Sequence, residues 1–140
     1  MIREYLFVYG TLSKGSDSDM YRLLARHADF IGDACYQGRL YRIEDYPGVV
    51  ASENSADQVK GEVYALREPG EILPTLDDYE GCGPGYAEPA EYIRARQEVV
   101  LDSGDKLMAW VYLYQRATEG LAPIISGDFL SDGRGSLHTE

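Results

Sequence analysis

Histidine and cysteine are scarce: His27, His138, Cys35 and Cys82 are the only ones in 140 residues. A structural zinc site takes about four such ligands at short spacing, and no cluster of His, Cys and carboxylate approaches that, so no metal or cofactor is expected. The two cysteines form no Cys-x-x-Cys pair, which favours free thiols in a reducing compartment over a disulfide framework. Cys82 has no histidine near it in sequence to activate it, and no Ser-His-acid set is visible. Positive charge is also in short supply, with 13 basic against 24 acidic residues and a net charge of −11. A protein that tracks phosphates or lies on an anionic membrane needs the opposite balance. Neither nucleic acid nor membrane is therefore an expected partner. A small anionic substrate is repelled too, but salt confines that repulsion to about 8 Å, so local donors can outweigh it.

No apolar run approaches the roughly 18 residues of a membrane span. The opening Met1-Ile2-Arg3-Glu4-Tyr5-Leu6-Phe7-Val8-Tyr9 holds an acidic residue and no small-residue cleavage site, so it reads as a strand rather than a signal peptide, and the cytoplasm is the expected location. Internal repeats and low-complexity blocks are absent. One domain over residues 1–130 is expected, with a frayed tail over 131–140.

What is present is mostly strand. Tyr, Val, Ile and Leu fill residues 2–9, 31–43, 49–51, 59–66, 92–101 and 107–114, separated by Gly, Pro, Asp and Ser. In the last of these, Met108, Trp110, Tyr112 and Tyr114 alternate with Leu107, Ala109, Val111 and Leu113. Both faces are apolar, which predicts a strand covered on both sides, central in a closed or nearly closed barrel with something packed outside. Asp102-Ser103-Gly104-Asp105 signals a hairpin turn. Two helices are expected. Residues 20–27 place Met20, Leu23, Leu24 and His27 on one face, with Asp17 or Asp19 as cap. Residues 74–80 start with Pro74 at the first helical position and stop at Gly81. Beyond Gln115 the chain reads as loop. The class is α+β, with strands in the majority.

Two segments could carry chemistry. In Tyr9-Gly10-Thr11-Leu12 a strand ends in a glycine free to take positive φ. Successive amides there can converge on an anion; the alternative is an ordinary tight turn. Glu80 follows Leu76-Asp77-Asp78-Tyr79 at the C-terminal end of a helix, where the dipole disfavours negative charge. Nearby apolar groups and the like charges of Asp77 and Asp78 act in the same direction, towards the raised pKa of a general acid/base. The competing reading is a solvated surface glutamate. Gly81-Cys82-Gly83-Pro84-Gly85 looks like a nucleotide loop but follows a helix rather than a strand, which is the wrong context.

Together with Tyr46-Pro47-Gly48, Val59-Lys60-Gly61-Glu62-Val63-Tyr64, Ala109-Trp110-Val111-Tyr112-Leu113-Tyr114 and Ser126-Gly127-Asp128-Phe129, these segments occur in an order that resembles the γ-glutamylcyclotransferase-like (AIG2-like) family over residues 6 to about 130. The resemblance implies a small mixed β-barrel with a few flanking helices. It also implies a γ-glutamyl substrate cradled by Tyr9, Gly10, Thr11 and Leu12, with Glu80 catalytic. The implied reaction cyclises the γ-glutamyl group to 5-oxoproline with release of an amine or amino acid. A non-catalytic metabolite-binding barrel of the same fold is the alternative. The family's Tyr-x-Arg after the glutamate is divided here: Tyr86-Ala87-Glu88 keeps the spacing without the arginine, and Tyr92-Ile93-Arg94 keeps the motif farther on. Either Tyr86 or Tyr92 is a candidate to line the site. The asparagine common after the glycine turn is missing from Ser16-Asp17-Ser18-Asp19.

Overall fold

The computed structural model describes residues 4–9, 19–42, 47–80, 92–115 and 118–124, with side chains described at all of these except 19–21, 23 and 78–80. Gly10, Thr11, Leu12, Tyr86, Gly81 to Gly85, the motif at 126–129 and the expected tail over 131–140 lie outside the described residues. The elements run β1 (Glu4–Val8), α1 (Asp19–His27), β2 (Ala28–Arg42), β3 (Pro47–Ala51), β4 (Gln58–Leu66), α2 (Pro69–Glu80), β5 (Tyr92–Leu101), β6 (Lys106–Tyr114) and β7 (Ala122–Pro123).

Five strands close on themselves. β1 pairs antiparallel with β4, β4 with β2 and β2 with β3, while β6 joins parallel to both β3 and β1. The result is a mixed barrel, in which one edge of β6 meets β1 at Trp110 and β3 at Leu113, while β5 pairs along the other. β5 extends it as an antiparallel hairpin partner of β6 and also touches β2. The hairpin turns at Gly104, with φ of 96°, and Gly104 N–H donates to the Leu101 carbonyl at 2.8 Å.

Strand alternation divides the apolar residues into two layers. Phe7, Tyr36, Leu40, Val49, Val59, Val63, Val99 and Val111 fill the barrel interior. Leu6, Val8, Tyr64, Leu66, Tyr112 and Tyr114 point outward, where Leu24 of α1 and Ile72, Leu73 and Leu76 of α2 cover them. Each fully buried side chain of this kind contributes about 1.5–3 kcal/mol. β6 supplies both layers, as its two apolar faces predict. Met108 departs from that expectation: it is 50% exposed, near the start of the strand.

Three sequence expectations need correction. α2 begins at Pro69, which takes the early helical position, and Pro74 lies inside the helix. The Ile72 amide already donates to the Glu68 carbonyl, and burial of Ile72 and Leu73 outweighs the single hydrogen bond that Pro74 cannot make. β7, read as loop, adds two residues to β2 through Tyr41 and Arg42. His27, expected on the apolar face of α1, is 38% exposed and lies 3.5 Å from Glu68 Oε1. Asp19 is the first residue of α1; Asp17 lies outside the described residues. No described helix is long and apolar enough to cross a membrane.

Candidate active site

The ends of β1 and α2 converge because of how the strands are connected. β4 runs antiparallel to β1 and finishes at Leu66, opposite Glu4. α2 therefore starts beside the beginning of β1 and must run back over the outer layer. Twelve residues of helix cover about 18 Å, close to the length of a five-residue strand. The parallel register of Leu6 with Trp110 puts Val8 level with Tyr112, and Asp77, near the end of α2, meets that same Tyr112. The Tyr112 hydroxyl donates to Asp77 Oδ1 at 2.8 Å. The main chain at Tyr9 and at Glu80 thus arrives at one end of the barrel.

A polar cluster runs from this end of the barrel back towards the start of β1. Arg94 of β5 forks onto Asp77, with Nε 2.7 Å from Oδ1 and Nη2 3.1 Å from Oδ2. Its guanidinium carbon lies 4.3 Å from the centre of the Trp110 ring, and that of Arg96 lies 4.7 Å from it. Glu4 Oε1 accepts from both Trp110 Nε1 and Arg96 Nη2 at 2.7 Å. Asp77 is accordingly an ion-paired carboxylate. The like charge that Asp77 brings to this end of α2 is thus paired with Arg94.

Glu62 was not singled out as a site residue in the sequence. It is 9% exposed, the buried charged residue of the described core, and it faces outward on β4 opposite Val8. Tyr64 donates its hydroxyl to Glu62 Oε1 at 3.1 Å. The signal was the alternation in Val59-Lys60-Gly61-Glu62-Val63-Tyr64, which puts Glu62 and Tyr64 on one face, combined with the inference that something covers the barrel from outside.

Of the sequence-predicted residues, Tyr9 is buried with its ring among the interior residues, 6.3 Å from Phe7 between centroids. Its hydroxyl donates to the Tyr112 main-chain carbonyl. Tyr92 opens β5 in the helix-side layer. Its hydroxyl donates to the Pro47 carbonyl, and its ring meets Tyr114 edge-on at 5.6 Å. Glu80 is the last residue of α2. A cavity of about 430 Å³ elsewhere is lined by Arg39, Tyr41, Asp57 and Leu121 among others. It contains none of the expected site residues, and Arg39 and Asp57 in its wall are 3.1 Å apart and occupied with each other. The convergence of β1 and α2 is the better candidate because the main chain of Tyr9 and Glu80, both expected site residues, meets there beside Asp77, Arg94 and Tyr112.

The sequence matches the family described as Gamma-glutamyl cyclotransferase, AIG2-like, over residues 6–131. It is 32% identical over 119 residues to the gamma-glutamylaminecyclotransferase of Rattus norvegicus, covering 77% of this chain and 76% of that one. It is 33% identical over 126 residues to the gamma-glutamylcyclotransferase family protein YtfP of Escherichia coli K12, covering 89% and 95%. The solution structure of E. coli YtfP superposes with a TM-score of 0.59 at 34% identity, over 91% of this chain and 97% of that one. The crystal structure of YkqA from Bacillus subtilis superposes with a TM-score of 0.73 at 26% identity over 98% of this chain. This chain spans only 43% of YkqA.

Proposed function

The chain belongs to the gamma-glutamyl cyclotransferase, AIG2-like family, and from that premise we propose that it cyclises a γ-glutamyl group to 5-oxoproline. The observation that carries this reading is the arrival of the ends of β1 and α2, and so of Tyr9 and Glu80, at one end of the barrel. In the proposed reaction the substrate's α-amine attacks its own γ-carbonyl carbon. A ring C–N bond forms, the tetrahedral intermediate collapses, and the C–N bond to the leaving amine breaks. No water is consumed and no redox change occurs.

Such an attack needs mainly a frozen, folded conformer. Well-oriented intramolecular reactions reach effective molarities of about 10⁵–10⁸ M. Glu80 takes the proton from the attacking amine and returns it to the leaving amine. The amides of Gly10, Thr11 and Leu12 bind the substrate carboxylate or the developing oxyanion. Both Asp77 oxygens are occupied, accepting from Arg94 and, at Oδ1, from Tyr112. The rat relative's name makes γ-glutamylamines the first substrates to try.

The test is 5-oxoproline release from γ-glutamylamines, γ-glutamyl amino acids and glutathione, by wild type and by Glu80→Gln. Turnover by wild type and a loss of at least about 10²-fold in the variant are expected. Thermal stabilisation by these compounds without any product would instead favour the non-catalytic binding barrel. Unchanged turnover in Glu80→Gln would remove Glu80 from the mechanism.

A further inference from the structure

We propose that Arg94 is a positioning residue for Glu80: its fork on Asp77 fixes the last turn of α2, and with it the main chain that carries Glu80. The inference rests on the reading of Glu80 as the acid/base. Helix ends fray, because their last carbonyls have no intrahelical partners. α2 has a further weakness, since Pro74 within it supplies no amide for the ladder. The turn and a half that follows depends on outside contacts. Leu76 is fully buried, and Asp77 is the next anchor.

That anchor is tightly built. Both Asp77 oxygens accept from Arg94, and Oδ1 also accepts from Tyr112. The paired side chains are only 22% and 18% exposed, so solvent screens them less than an ordinary surface pair. A charge-assisted bidentate pair is also directional, which a lysine's point charge is not. Arg94 is itself held in place. Its main chain pairs with Tyr112, its guanidinium lies on Trp110, and Trp110 is fixed by Glu4. Glu80 is three residues beyond Asp77, within one turn. The clamp therefore ties the end of α2 to the β5–β6 hairpin.

The experiment compares wild type, Arg94→Met, Arg94→Lys, Asp77→Asn and the Asp77→Asn/Arg94→Met double variant as full chains. Amide hydrogen exchange is followed over residues 75–80 and, as internal reference, over β4. Steady-state release of 5-oxoproline from a γ-glutamylamine is measured in parallel. In Arg94→Met, exchange over 75–80 should rise about tenfold or more while β4 is unchanged. kcat should fall about tenfold or more with KM within roughly threefold, because a small misplacement of the reacting groups is costly. Arg94→Lys should fall between, and the double variant should lose no more than the worse single one. Unchanged exchange at 75–80, in Arg94→Met or in Asp77→Asn should the former not fold, overturns the clamp. Looser exchange with wild-type kcat overturns its role in positioning. If wild type itself makes no 5-oxoproline, the functional reading fails, while the exchange arm still decides whether the fork holds the turn.

Discussion

The Tyr9 hydroxyl donates to the main-chain carbonyl of Tyr112 at 2.5 Å, across 103 positions of sequence. Tyr112 passes the connection on, because its own hydroxyl donates to Asp77. The end of β1, the end of β6 and the last turns of α2 are thus joined through two phenols. Tyr9→Phe removes the first link with almost no change in volume. A loss of about 1–3 kcal/mol is expected, the usual cost of taking a partner from a buried polar group, measured by urea denaturation.

Gly61 is required by a close approach between strands. A Cβ there would lie 2.2 Å from the Val8 carbonyl oxygen and 2.6 Å from the Phe7 ring. Gly61→Ala must therefore push β1 away from β4, at a cost of about 1–3 kcal/mol or more. Gly70, in the first turn of α2, has nothing within 4 Å of its Cβ position, and Gly70→Ala should stabilise by about 0.4–1 kcal/mol. Paired denaturation curves for the two variants should move in opposite directions.

Much of the architecture was legible in the sequence because periodicity two is a strong signal. Leu107 to Tyr114, sorted by that period into two faces that are both apolar, announced both a filled interior and an outer covering, and the structure has both. The start of α2 was hidden because Pro69-Gly70 has the composition of a turn and Pro74 looks like a helix start; tertiary burial of Ile72 and Leu73 overrode both. β7 was illegible for a related reason: a two-residue pairing containing proline has no periodicity to read. At the candidate site, the pairing of Asp77 with Arg94 links two elements 17 positions apart. Sequence marks each charge but not which partner the fold assigns to it. The burial of Glu62 likewise depends on what lies above the strand.

Asp57 provides a pH-dependent contribution of definite sign. The Ser52 hydroxyl, which donates to Oδ2 at 2.7 Å, holds its carboxyl below the ordinary range. Slight desolvation opposes this and Arg39 reinforces it. A lowered folded pKa contributes stability above the unfolded value, and that stability is lost as pH falls through the folded one. Ser52→Ala should raise the Asp57 pKa in a carbon-detected NMR titration. It should also reduce the advantage of pH 6 over pH 3 in thermal stability.

Cys35 should be a sluggish thiol. Burial pushes its pKa up, Asp102 adds to the rise, and Lys60 opposes it. The thiolate is the reactive form, so alkylation near pH 8 should be slower than in the urea-unfolded chain. Asp102→Asn should speed it. Iodoacetamide kinetics in a Cys82→Ser background, where one thiol reports, provide the check.

Hydrogen bonding between β1 and β6 sets an order of events for a chain emerging from the ribosome. The barrel's first stave has to wait, with one edge bare, until Trp110 has been synthesised and can lie beside Leu6. Contacts of such long sequence separation form slowly, and an unpaired strand edge is open to strangers in the meantime. Completion of the cylinder is thus a late, nearly whole-chain event, and a nascent chain stalled before β6 would leave that first edge uncovered.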